Sequence, residues 1–344
     1  RDRLRSRGLG DVYKRQTSDS TYVPMEFKIT RSTIRTNPVP YYGIVDNNVG
    51  YIVISTFAIE NCSKDIKKAL IELKQQGAKS IVLDLRGNGG GLLGEAVNVV
   101  NFFVPKGKEI VVTKGKIKQA GTTYKTTNEP VDTEIPLAVL VDGSTASASE
   151  IVSGSLQDLD RAIVVGSRTY GKGLVQVPRE LPYNSSMKVT TAKYYIPSGR
   201  CIQAIDYAKR NADGSVARTP DSLTNVFHTA AGREVRDGGG IRPDVEVKVE
   251  NFPNIMFYLL NDDMIFDYAT QYCIKHSQVG EVKDFTITDA DYVDFKKMLH
   301  KRKFTYDRQS EKMLKNLKEI AEFEGYMDLS LIHISEPTRP EPIS

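Results

Sequence analysis

The 344-residue chain contains no tryptophan, only three cysteines and only four histidines. Cys62, Cys201 and Cys273 are widely spaced with no Cys-x-x-Cys pair, so neither a zinc site nor a disulfide framework is signalled and the redox compartment stays open. No apolar stretch reaches the roughly 18 residues of a membrane-spanning helix. An excess of one charge is missing too. Lys and Arg number 47 against 43 Asp and Glu, a formal +4, and most of that excess sits at the ends. Arg1–Gln16 holds six Lys/Arg against two acids and Leu329–Ser344 one against two; without them the net charge is about +1. Nothing in this balance points to nucleic acid or an anionic membrane as a partner.

Those two ends do not read like parts of a folded domain. Residues 1–16 and 329–344 resemble translated sequencing adaptor and are set aside as non-native segments. Between them the chain is long enough for one large or two modest domains with ample core.

What the interior contains is an alternation of strands and helices. Tyr51–Ser55 and Ser80–Leu85 are short apolar runs expected to be buried strands, and Ile66, Ala69, Leu70 and Leu73 between them share one helical face. Leu93, Ala96, Val97, Val100 and Phe103 repeat that spacing. Leu137–Val141, then Ala148, Ile151, Val152 and Ser155, then Ala162–Val165 continue the series. The expected fold class is α/β, a mixed or parallel sheet with right-handed helical crossovers. Glu109–Lys114 reads as β-like and leads into hairpins or a surface loop. Past Lys172 the texture turns β-like, including Lys188–Ile196, in segments expected to wrap around the sheet. After Val249 a small helical region follows, with a capping box at Thr288 and Asp291 and a final helix carrying Met313, Leu317 and Ile320.

Two loops carry chemistry. Asp84-Leu85-Arg86-Gly87-Asn88-Gly89-Gly90-Gly91 closes a strand and opens a helix, so its glycines free backbone N–H groups to face an anion or oxyanion. Gly89, Gly91 and Gly94 also fit the dinucleotide pattern G-x-G-x-x-G, but the acid that should end the next strand is replaced by Glu109 at the start of its run. Asp142-Gly143-Ser144-Thr145-Ala146-Ser147-Ala148-Ser149-Glu150 also joins strand to helix, and any of its hydroxyls could be a cap or a nucleophile. Composition does not choose among them. A serine nucleophile needs a base, and histidine offers little: His276 and His300 fall in the helical region, His333 in the end segment, leaving His228 in a Thr- and Gly-flanked loop. Lys172, between Gly171 and Gly173, lies just after the strand that follows the Ser147 helix. To act as a base it must lose several units from its ordinary pKa of about 10.4 by desolvation or nearby positive dipoles. Glu150 is expected to be a first-turn carboxylate favouring the helix dipole or a hydrogen-bonding support.

Five motifs in order resemble the carboxyl-terminal processing peptidases: Leu83 to Gly91, Thr145 to Ile151, Thr169-Tyr170-Gly171-Lys172-Gly173, Tyr194-Tyr195-Ile196-Pro197-Ser198-Gly199, and Gly240-Ile241-Arg242-Pro243-Asp244. The resemblance implies a ClpP/crotonase-like core and a serine endopeptidase with Ser147 as nucleophile and Lys172 as general base. It further implies that Gln176 orients the lysine and that the N–H groups of Gly91 and Ala148 form the oxyanion hole. Neither metal nor organic cofactor is implied. Polypeptides with apolar C-termini are the implied substrates, an adaptor protein or a homo-oligomer the implied assemblies, and the periplasm or cell envelope the implied location. On this reading residues 17–40 are the remnant of a PDZ domain and linker, with Met25–Thr30 its last strand. Residues 41–250 are then the catalytic core, and 251–328 a helical extension like that of Bacteroidetes-like members. The competing expectation is a non-catalytic peptide-binding or scaffold protein on the same fold; a nucleotide-binding domain on the Gly89 loop is a third.

Overall fold

A computed structural model describes residues 35–116, 121–210, 216–248, 252–276, 278–280, 285–307 and 309–324. The segments 1–16 and 329–344 and the expected strand Met25–Thr30 lie outside the described residues.

The apolar runs form a six-stranded sheet in the order β1-β2-β3-β6-β7-β14. β1 (Tyr41–Val45) pairs antiparallel with β2 (Val49–Val53), while β3 (Ser80–Asp84), β6 (Leu137–Val141), β7 (Ile163–Gly166) and β14 (Val245–Glu246) add in parallel. Period-two burial is evident in β6, where Leu137, Val139 and Val141 are buried and Ala138 and Leu140 only partly so. Three helices pack on the sheet: α1 (Cys62–Gln75), α2 (Leu93–Asn101) and α3 (Ala148–Asp158). α1 buries Ile66, Ala69, Leu70 and Leu73, the face its spacing demands. The fold is therefore α/β with a mixed sheet. Its register sets β3 level with β6, Asp84 opposite Leu140, so the loops that follow these two neighbouring strands emerge side by side. That is the place where open α/β sheets bind ligands.

α3 departs from amphipathic pattern because every one of its residues is buried, polar ones included. Ser153 and Ser155 are accommodated by donating to the Ser149 and Ile110 carbonyls at 3.0 and 3.2 Å. Gly154 lets the helix approach its neighbours: a Cβ there would lie 2.6 Å from Ile241 Cδ1 and 2.8 Å from Ile196 Cδ1. The C-terminal end is pinned by a buried ion pair, Asp158 Oδ1 to Arg200 Nη2 at 2.7 Å. Asp158 also accepts from the Ser198 N–H.

The β-like segments do not wrap around the first sheet but build a second, antiparallel one in the order β5-β4-β9-β8. β4 (Glu109–Lys114) and β5 (Thr122–Lys125) form one hairpin, β8 (Leu174–Leu181) and β9 (Ser185–Tyr195) another. Glu109 thus lies on this second sheet rather than at the end of the next parallel strand, which weighs against the dinucleotide pattern. β8 is an edge strand and carries Pro178 opposite Lys188, a residue that an edge tolerates because its missing N–H faces outward. Two short hairpins follow, β10 (Ile205–Arg210) with β11 (Val216–Arg218) and β12 (Val226–His228) with β13 (Glu234–Arg236).

The described residues from 252 to 324 belong to a separate unit. It contains α4 (Asn254–Asn261), α5 (Met264–Lys275), α6 (Asp289–Lys301) and α7 (Gln309–Glu324). Thr288 caps α6, with its N–H 2.9 Å from Asp291 Oδ2 and its Oγ1 3.3 Å from the Asp291 N–H.

Candidate active site

The loops after β3 and β6 are tied together before any catalytic side chain is considered. Asp142 accepts from the N–H groups of Gly87, Ser144 and Thr145 at 2.9–3.1 Å. Thr145 Oγ1 donates across to the Leu85 carbonyl at 2.9 Å. Buried Asn88 joins three segments: its Nδ2 donates to the Ile54 carbonyl, its Oδ1 accepts from Gly90 N–H, and its carbonyl accepts from Ala146 N–H. Two glycines are dictated by this closeness. Gly90, at φ +95°, would place a Cβ 2.6 Å from the Ala146 oxygen and 2.8 Å from the Ala148 nitrogen; Gly91, at φ +152°, would place one 2.1 Å from the Phe57 carbonyl carbon. Among the described residues no acceptor is found for the N–H of Gly91 or of Ala148.

Ser147 stands at the N-cap of α3 with φ 57° and ψ −116°, a conformation that L-residues rarely hold and that costs on the order of 1–3 kcal/mol unless its surroundings enforce it. They do. The buried Glu150 carboxylate accepts from Ser147 N–H at 2.8 Å, from Thr169 Oγ1 at 2.5 Å, and from the N–H groups of Gly171 and Lys172 at 2.7 and 2.8 Å. One side chain therefore holds the serine loop and the lysine loop together. Burial pushes the Glu150 carboxyl above its ordinary value, and the four donors pull it partway back. On the other side the fully buried Tyr194 hydroxyl meets the carbonyls of both Ser147, at 3.2 Å, and Lys172. Burial, reinforced by the Glu150 charge, raises its phenol well above the usual range.

A cleft of about 510 Å3 opens at this junction, lined by Ser147, Ala148, Lys172, Gln176 and Tyr194, by Gly89, Gly90 and Gly91, and by apolar Leu93, Ile151 and Leu174. The five residues singled out in the sequence thus share one cleft. Among the described residues no hydrogen bond joins the Ser147 hydroxyl to the Lys172 ammonium, or either to Gln176, whose side chain is exposed. His228 does not line the cleft; it is exposed on β12. Among the described residues no group of three or more His, Cys, Asp or Glu is arranged to hold a metal. The sequence leaves Glu150 open between a dipole-favouring carboxylate and a hydrogen-bonding support, and the role of Tyr194 escapes it. The Ser-x-x-Glu spacing was visible, but a capping carboxylate and a bracket between two loops look alike in one dimension. Nothing signalled that Tyr194 would reach Ser147 across 47 residues.

A serine at a strained helix start, a glycine loop with free N–H groups beside it and a lysine in the same cleft are the parts of an acyl-transfer site. Residues 48–209 match the family model described as "Peptidase family S41". Residues 255–333 match "Probable PDZ-protease, C-terminal helical domain". Among curated proteins, the chain is 42% identical over 192 residues to a carboxyl-terminal-processing protease of Synechocystis, covering 55% of this chain and 44% of that one. It is 39% identical over 186 residues to a carboxy-terminal-processing protease of Bartonella bacilliformis, covering 53% and 42%. The chain thus spans less than half the length of these relatives. Among solved structures, the photosystem II D1 C-terminal processing protease is similar at 30% identity, covering 65% of this chain and 52% of that one, with a TM-score of 0.46.

Proposed function

We propose that the chain is the catalytic part of a serine endopeptidase that cleaves polypeptides through an acyl-enzyme. The observation that carries this reading is the shared cleft, in which Ser147 on its enforced backbone, Lys172 and the N–H groups of Gly91 and Ala148 converge. Ser147 Oγ attacks the peptide carbonyl and Lys172 Nζ takes its proton. The tetrahedral oxyanion is met by the two N–H groups. Lys172 returns the proton to the departing amine; water then enters, loses a proton to Lys172 and releases the acid, freeing Ser147. Gln176 orients the lysine once substrate closes over it. The open edge of β8, whose residues Leu174, Val175 and Gln176 line the cleft, suits an extended peptide. Polypeptides with apolar C-termini, an exported location in the cell envelope, and a catalytic core at 41–250 followed by a helical extension at 251–328 complete the proposal. An adaptor or a second copy is its proposed means of assembly.

The test is cleavage of casein across pH 6 to 10 by the chain, by Ser147→Ala and by Lys172→Ala. Loss of cleavage in both variants with a rising alkaline limb in the parent supports the pair. Cleavage that survives Ser147→Ala removes the nucleophile assignment.

A further inference from the structure

The cleft holds more positive charge than the chemistry proposed above uses. Lys172 and Lys188 both line it, and no aspartate or glutamate does. Among the described residues neither ammonium has a carboxylate partner. Lys172 is assigned to proton transfer; Lys188 has no assigned task. It lies on β9 opposite Pro178, while Thr190 lies opposite Gln176, so Lys188 and Gln176 share one face of the β8–β9 ribbon as diagonal neighbours. Glu180 is on the same face, opposite Ser186, but it does not line the cleft and forms no ion pair with Lys188.

An unpaired ammonium beside the apolar walls of Leu93, Ile151 and Leu174 is chemistry that recognises an apolar peptide segment ending in a carboxylate. Chain polarity then fixes which segment this is. A polypeptide's terminal carboxylate always lies on the leaving side of the bond being cut.

We infer that Lys188 is a specificity-determining residue: its ammonium takes the terminal carboxylate of the leaving segment, so that cleavage is directed to bonds near a chain end. The inference rests on the peptidase reading above. No bond to Lys188 forms or breaks; the leaving segment departs as the amine with its carboxylate unchanged.

The experiment separates recognition from cleavage by using the Ser147→Ala protein, alone and with Lys188→Met or Lys188→Arg. Binding of a fluorescein-labelled peptide ending in apolar residues is measured by anisotropy as the free acid, as the C-terminal amide, and as the amide with a penultimate glutamate. The acid is expected to bind about three- to tenfold more tightly than the amide. Lys188→Met should bring that ratio to about one, and Lys188→Arg should keep most of it. Equal binding of acid and amide, or a preference that survives Lys188→Met, overturns the inference. So does a glutamate amide that binds as tightly as the acid, since the site would then read any carboxylate rather than the chain end. Because binding is read with the nucleophile removed, these outcomes stand apart from the casein result.

Discussion

Glu150 spends its carboxylate on four donors from two loops, so its replacement acts on geometry before it acts on charge. Glu150→Gln keeps the size but leaves only one oxygen to accept, so that the amide nitrogen orphans either the N–H groups of Ser147 and Lys172, which share Oε2, or the N–H of Gly171 on Oε1. Misplacement of a nucleophile by about 1 Å can cost about 100-fold, and a fall in kcat of that order is expected, with far-UV circular dichroism unchanged. The titration has a definite sign. The folded-state pKa of Glu150 lies above the ordinary 4.5, so its contribution to stability is full below that value and is lost as pH rises through the folded pKa. Urea midpoints of the parent and Glu150→Gln, compared from pH 4 to 8, should show the parent's relative stability declining as pH rises. Cysteine offers a second check at this scale. Burial, with Glu95 adding to it, pushes the Cys62 thiol up to about 12, whereas Cys273 is exposed. Iodoacetamide at pH 8 should label Cys273 in the folded protein and reach Cys62 only after denaturation.

At the scale of elements, α3 is the part whose placement the proposed nucleophile depends on, and it is held at both ends. Asp158→Ala would leave Arg200, 1% exposed, without its carboxylate, and removing one partner of such a pair costs about 3–5 kcal/mol. Calorimetric melting should therefore show a large fall for Asp158→Ala, although the residue lies eleven positions from Ser147. Most elements were legible in the sequence because their apolar residues recur at 2.0 or 3.6 spacing. The helix of Ala148 to Asp158 is legible from Ile151, Val152 and Ser155, but its complete burial is not, because Ser153 and Ser155 satisfy themselves on backbone carbonyls and leave no periodic trace. The second sheet was misplaced for a related reason. Strand content was readable at Glu109–Lys114 and Lys188–Ile196, yet the pairing of β4 with β9 spans some 80 residues and no local pattern encodes it. Among the cleft residues Ser147, Lys172, Gly91, Ala148 and Gln176 came from motifs, while the Glu150 and Tyr194 brackets depend on three-dimensional return of the chain.

For the molecule as a whole, every residue of the cleft belongs to the first of two units, Arg1–Lys248. If cleavage resides there, a protein ending at Lys248 should hydrolyse casein with a kcat within about threefold of the full chain, a comparison that also locates any contribution of residues 249–344. The edge of the second sheet has a consequence of its own. An unpaired strand next to a cleft is a template for any extended chain. Pro178 removes one donor partway along β8, so a ladder begun at Leu174 meets a gap before it reaches Leu181. On the proposed peptidase reading, the edge grips a short stretch of substrate and still refuses the long, continuous pairing from which aggregates grow.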